Sequence, residues 1–159
     1  MSPRRDNILT HLPKSGDALT DWLFRQFALT LRQETIRIKR KKRLFNPGDR
    51  SRGALRGLMD PEVHPSGRYI HILINPARDA NPTRDDEVDT LIHELAHVVM
   101  GRASERHILQ IENLLSKRFT GEQRSYLRMF LPRHEVKHYP VAVSRLRSIP
   151  LAARKRRRR

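Results

Sequence analysis

Between Arg68 and Gly101 the chain reads "RYIHILINPARDANPTRDDEVDTLIHELAHVVMG", and the period of its apolar residues changes once along the way. Up to Ile74 the apolar residues alternate. Ile70, Ile72 and Ile74 fall on one face and Tyr69, His71 and Leu73 on the other, which predicts a strand. Pro76 and the "DANPT" turn end it. From about Arg84 to Met100, Val88, Leu91, Ile92, Leu95, Val98 and Val99 recur at three- and four-residue spacing. That predicts a helix with Thr83 or Asp85 as its cap, acidic residues in its first turn and Gly101 at its C′ end. A strand, a tight turn and a helix with a broad apolar stripe fit a helix packed on a small sheet, so we expect an α+β fold.

The remaining segments add to this nucleus. Leu19, Trp22, Leu23, Phe27 and Leu31 predict an amphipathic helix from Asp17 to about Gln33, and "TIRIKR" predicts a strand. The stretch from Asn46 to Gly67, with four glycines and three prolines, reads as loop with one short strand near Ala54 to Met59. Ser104 caps a third helix, to about Lys117, whose inward face is Ile108, Ile111, Leu115 and Phe119. A fourth runs from about Glu122 to Leu131 and ends at Pro132. With 159 residues the chain is long enough for one real core. We divide it into an irregular lead-in over 1–16, a folded domain over 17–131 and a basic, partly disordered tail over 132–159. The folded part should hold about three strands in a twisted sheet, with helices packed on it.

Composition narrows the chemistry. There is no cysteine, which excludes disulfides, thiolate metal ligands and a cysteine nucleophile, so any metal must sit on nitrogen and oxygen. No apolar run approaches the roughly 20 residues of a membrane span. The N-terminus lacks the apolar segment of a secretory signal, and we expect a cytoplasmic protein, not secreted and without membrane contact. The formal net charge is +16, and the last six residues, Arg154, Lys155, Arg156, Arg157, Arg158 and Arg159, are all basic. A second cluster comprises Arg37, Lys39, Arg40, Lys41, Lys42 and Arg43. Such residues attract polyanions with a pull that weakens as salt rises, so non-specific DNA or RNA contact is expected there. Tails of this kind also serve solubility or localisation.

The pattern His-Glu-x-x-His occurs twice, at His93–His97 and at His134–His138. Four residues advance about 6 Å along a helix and turn it by about 40°, so two histidines at that spacing aim at a common point. The intervening glutamate can then touch a water on the metal instead of the metal itself. At His93–His97 the apolar stripe would bury the helix and hold both rings still. At His134–His138, Pro132 and Pro140 leave too little room for a stable helix, only Val136 serves as an anchor, and Lys137 brings a positive charge beside the would-be metal. The first motif is assigned as functional and the second as coincidence.

The stretch "ILINPARDANPTRDDEVDTLIHELAHVVMG", followed by "ASERHILQIENLL", resembles the small single-domain zincin metallopeptidases: the SprT-like group and related short phage and bacterial peptidase-like proteins. The resemblance covers roughly residues 50 to 120. It implies a zincin-like fold with the motif on a central helix, Zn2+ held by His93 and His97, and Glu94 as general base. It also implies a bacterial or phage-infected cell as the setting. A catalytic zinc takes three protein ligands and leaves one position open. The phage-type relatives open the next helix with "SE", which favours Glu105. SprT-like relatives use a histidine followed by glycine and an aromatic residue; here His107 is followed by "ILQI". Helical periodicity does not separate Glu105 from His107, and Glu112, more than a full turn further along, is a third possibility.

The expected function is zinc-dependent hydrolysis of a protein or peptide, in which Glu94 activates a zinc-bound water. Tyr126 and His71 are oxyanion-stabilising candidates by residue type alone. The basic clusters extend this, by analogy, to substrates associated with nucleic acid. The alternative is a basic nucleic-acid- or virion-associated binding protein whose zinc site is structural or vestigial. A further alternative is a phage-borne regulator that cleaves one repressor.

Overall fold

Four helices and a three-stranded mixed sheet make up the fold in the computed structural model, which describes residues 11–46, 49–62 and 69–137. Residues 11–17 are irregular, and residues 1–10 and 138–159 lie outside the described set. The first helix, α1 (Ala18–Leu31), starts where the Asp17 carboxylate accepts the Thr20 N–H at 2.9 Å. Its buried face is Leu23, Phe24, Phe27, Ala28 and Leu31. Leu19 and Trp22, which we expected to share that face, are 58 % and 53 % exposed. At about 100° per residue, Trp22 lies opposite the face centred near Phe24 and Phe27.

Strand β1 (Ile36–Arg40) follows, and then a region richer in strands than its sequence implies. β2 (Phe45–Asn46) and β3 (Asp49–Ala54) form a two-stranded antiparallel ribbon, while β4 (Gly57–Glu62) belongs to the main sheet. Our expectation of loop with one short strand over Asn46 to Gly67 is corrected on this point. "DRSRGA" and "GLMDPE" show no apolar alternation, because strand formation here is imposed by partners and not by propensity. The sheet order is β1-β5-β4, with β5 (Tyr69–Ile74) central, parallel to β1 and antiparallel to β4. Among the described residues β4 is therefore an edge strand, which is where Pro61 can be accommodated.

Helix α2 (Arg84–Val99) is the hub of the molecule. It touches α1, β4 and β5, and also α3 (Glu105–Arg118) and α4 (Gly121–Arg128). A capping box between Thr83 and Asp86 starts it, and three acids occupy its first turn. Its Val88, Leu91, Ile92, Leu95 and Ala96 join Ile72 and Ile74 of β5, Phe24 and Phe27 of α1, Ile108 and Leu115 of α3 and Leu127 of α4 in one core. Phe119 meets Phe24 edge-on at 5.4 Å between centroids, closing the core between α1 and the α3–α4 corner. Among the described residues no helix is long and apolar enough to cross a membrane.

Two buried asparagines tie the start of β4 to the turn before α2. Asn75 donates to the Leu55 carbonyl at 2.9 Å, and Asn81 donates to the carbonyls of Arg56 and Asn75 at 3.1 and 2.7 Å. Thr90 of α2 donates in turn to Asn81 Oδ1 at 2.7 Å. These buried hydrogen bonds hold the Leu55–Gly57 corner against the turn before α2 and against Thr90 of α2.

Candidate metal centre

His93 and His97 project from the second half of α2, one helical turn apart, and their Nε2 atoms lie 3.2 Å from each other. The chain turns after Met100, and Ser104 caps α3, which sets Glu105 in its first turn facing both rings. Glu105 Oε1 is 3.0 Å from His93 Nε2, and Oε2 is 3.0 Å from His97 Nε2. These three side chains form a group able to hold a metal ion. The donor set fits a tetrahedral ion: bonds of about 2.0–2.1 Å would place neighbouring ligand atoms roughly 3.3 Å apart, close to the separations found.

Glu112 stands behind His93. Its Oε2 lies 2.8 Å from His93 Nδ1, and its Oε1 accepts from Arg56 Nη1 at 3.2 Å. A carboxylate accepts, so Nδ1 carries the hydrogen, and in the neutral ring Nε2 presents its lone pair toward His97 and Glu105. Burial pushes the His93 pKa down, but the Glu112 hydrogen bond and the charges of Glu94, Glu105 and Glu112 outweigh it and leave it raised. Burial also pushes Glu112 up; the His93 hydrogen bond and Arg56 reverse this and hold it below its usual range.

Glu94 is only 6 % exposed. Burial raises its carboxyl to about 7, with Glu105 adding to the shift, while His93 and a hydrogen bond from the Met59 N–H pull the other way. Asn75 N–H donates to the Arg56 carbonyl, and antiparallel pairs alternate, so Met59, paired with Ile72, turns its N–H to the open edge of β4. Glu94 therefore sits where that edge meets the metal-binding group. A Cβ on Gly57 would stand 2.5 Å from Thr90 Cγ2 and 2.9 Å from Glu94 Oε1, so this approach of β4 to α2 needs glycine. The arrangement opens on a cleft of about 310 Å³, walled by Leu55, Arg56 and Gly57 on one side and by Glu105, Leu109 and Glu112 on the other.

The other sequence candidates lie elsewhere. His107 is exposed, and its Nδ1 lies 2.9 Å from the Ser104 hydroxyl at the start of α3 instead of joining the group. The Tyr126 hydroxyl accepts from Arg32 at 3.0 Å and its ring packs on Phe24 and Phe130, while His71 is buried in β5; neither lines the cleft. In the second His-Glu-x-x-His, His134 to Lys137 is not helical: Glu135 forms a bridge beside Arg40, and Val136 N–H donates to the Arg40 carbonyl. His138 lies outside the described residues.

Within the basic cluster, Arg37, Lys42 and Arg43 are exposed and Lys39 and Lys41 half-buried. The Arg40 side chain is 15 % exposed and pairs with buried Glu87 at 2.8 Å. Arg154 to Arg159 lie outside the described residues. Sequence reasoning left out Arg56, Gly57, Asn75 and Asn81, and named Glu112 only as a possible metal ligand. Comparison with known proteins finds no match for this chain among family models, curated proteins or solved structures.

Proposed function

We propose that the chain is a zinc-dependent metallopeptidase of the zincin kind, with His93, His97 and Glu105 as zinc ligands and Glu94 as general base. The observation that carries this reading is the triangle of two Nε2 atoms and one carboxylate, 3.0–3.2 Å on a side, beside a buried glutamate that does not join it. Two nitrogens and an oxygen without sulfur suit zinc among common divalent ions. When bound, zinc supplies the Lewis acidity that acidifies water and polarises a carbonyl.

The chain's own residues do the rest. Glu94 takes a proton from water in the cleft and returns it to the departing amine. Its hydrogen bond from Met59 keeps it on the β4 edge, along which an extended substrate would pair through main-chain groups. Glu112 holds the His93 ring in the tautomer that presents Nε2.

Two measurements test the proposal. Metal analysis should find about one zinc per chain, lost in His93→Ala and kept in His134→Ala; equal loss in both would overturn the assignment of the motif. Casein hydrolysis should disappear in Glu94→Gln, and activity unchanged in that variant would refute the base.

A second reading, a polyanion-binding protein, is favoured by the net charge of +16 and by exposed Arg37, Lys42 and Arg43 on β1 and the loop after it. The two are compatible if the substrate is met on nucleic acid. DNA binding should weaken as salt rises. Binding that survives deletion of residues 154–159 would place the contact on the folded part.

A further inference from the structure

The cleft beside the zinc-binding group carries one feature that metal chemistry does not use. Arg56 is the only permanent cation among the described residues that line it, set against Glu94, Glu105 and Glu112. Its Nη1 contacts Glu112 at 3.2 Å, yet its side chain is 46 % exposed where that of Glu112 is 7 % exposed. Pairing with Glu112 therefore covers only part of the Arg56 side chain. Arg56 lines the cleft, and a guanidinium has five N–H donors in a planar fork suited to a carboxylate.

Its position is also fixed in advance. The Arg56 carbonyl accepts from Asn75 N–H at 2.9 Å and from Asn81 Nδ2 at 3.1 Å, and Thr90 holds Asn81 in turn. A cation on a rigid corner binds without the cost of ordering its backbone. The strongly positive chain would in addition draw acidic segments toward it.

We propose that Arg56 makes this cleft a carboxylate-reading pocket, so that the favoured substrate carries a carboxylate next to the cleaved bond. This rests on the metallopeptidase reading. The carboxylate is either the C-terminus of the substrate or an Asp or Glu side chain, and Leu55 and Leu109 flank it with apolar wall.

Paired peptides separate these sources. One pair differs in a free or amidated C-terminus, the other in Glu or Gln beside the cleaved bond. With the zinc-loaded full chain, kcat/KM should favour the acidic member of one pair by about tenfold or more, and the pair that responds identifies the source. Arg56→Gln should bring the ratio to near one. Ratios near one in the unaltered protein, or a preference that survives Arg56→Gln, would overturn the pocket.

Calorimetry on zinc-loaded Glu94→Gln gives a readout independent of turnover. The acidic member of the responding pair should bind about tenfold more tightly than its amide, and equal affinities overturn the pocket even if Arg56→Gln loses zinc. If no peptide is cleaved but the acidic one binds preferentially and Arg56→Gln removes that preference, the peptidase reading falls and the carboxylate pocket stands; a preference kept in Arg56→Gln belongs to the metal and overturns the pocket.

Discussion

Glu112 decides how His93 presents itself. By accepting a hydrogen from Nδ1 it fixes both tautomer and ring orientation, and partners of this kind typically account for ten- to hundredfold in metal affinity. Glu112→Gln should therefore weaken zinc binding by roughly that factor, read by competition with a chelator, and affinity unchanged from the parent would remove Glu112 from the site. Arg56 keeps the same carboxylate charged from the other side. Gly57 acts by having no side chain. The methyl group of Gly57→Ala would press on Thr90 and Glu94, and overpacking of this kind costs about 1–3 kcal/mol. Denaturant titration should show that loss, and a midpoint equal to the parent's would mean that β4 can back away from α2.

The elements differ in how openly their sequences announce them. α2 carries its own start signal: Thr83 accepts from the Asp86 N–H while the Asp86 side chain accepts from the Thr83 N–H. Thr83→Ala should cost about 1 kcal/mol, seen as a lower melting temperature. On the proposed zinc reading, His93 and His97 of α2 tie the ion to the folded state, so zinc should restore part of the loss. β5 and α2 were legible because the apolar period, two and then three to four, is written into residues 69–99. β4 was legible only in its first half, as the short strand near Ala54 to Met59, since "GLMDPE" joins the sheet through main-chain pairing with β5, and its glycine and proline meet needs of close approach and edge position that composition reads as loop. Glu112 left a faint signal, standing four residues after buried Ile108 and three before buried Leu115, where a carboxylate must have a partner. That partner, His93, lies on another helix. The second His-Glu-x-x-His shows the converse: its prolines pointed away from a helix, and His134 to Lys137 runs beside Arg40 in no helix at all.

For the whole molecule, charge sets the response to acid. Asp86 is held below its ordinary 3.8 by hydrogen bonds from the Thr83 hydroxyl and N–H, and Asp21 by the Ser15 N–H and then the Ser15 hydroxyl and Gly16 N–H. Asp17 is held down by Thr20. A carboxylate whose pKa is lower in the folded chain binds fewer protons there than when unfolded. Its contribution is present above the ordinary value and is lost as pH falls through the folded one. These three groups cap α1 and α2 and tie the lead-in to α1, so their loss loosens helix starts and not the core. In the same range, protonation strips negative charge from a chain already at +16, and repulsion adds to the loss. The melting temperature of the metal-free chain should rise as pH falls from 7 toward 5, where Glu94 and His93, both raised in the folded chain, take up protons on folding, and then drop below about 4. Added salt should recover the part due to repulsion and leave the part due to the lost hydrogen bonds. A drop that salt abolishes completely would show that the caps contribute nothing, and a flat profile down to pH 3 would contradict both causes.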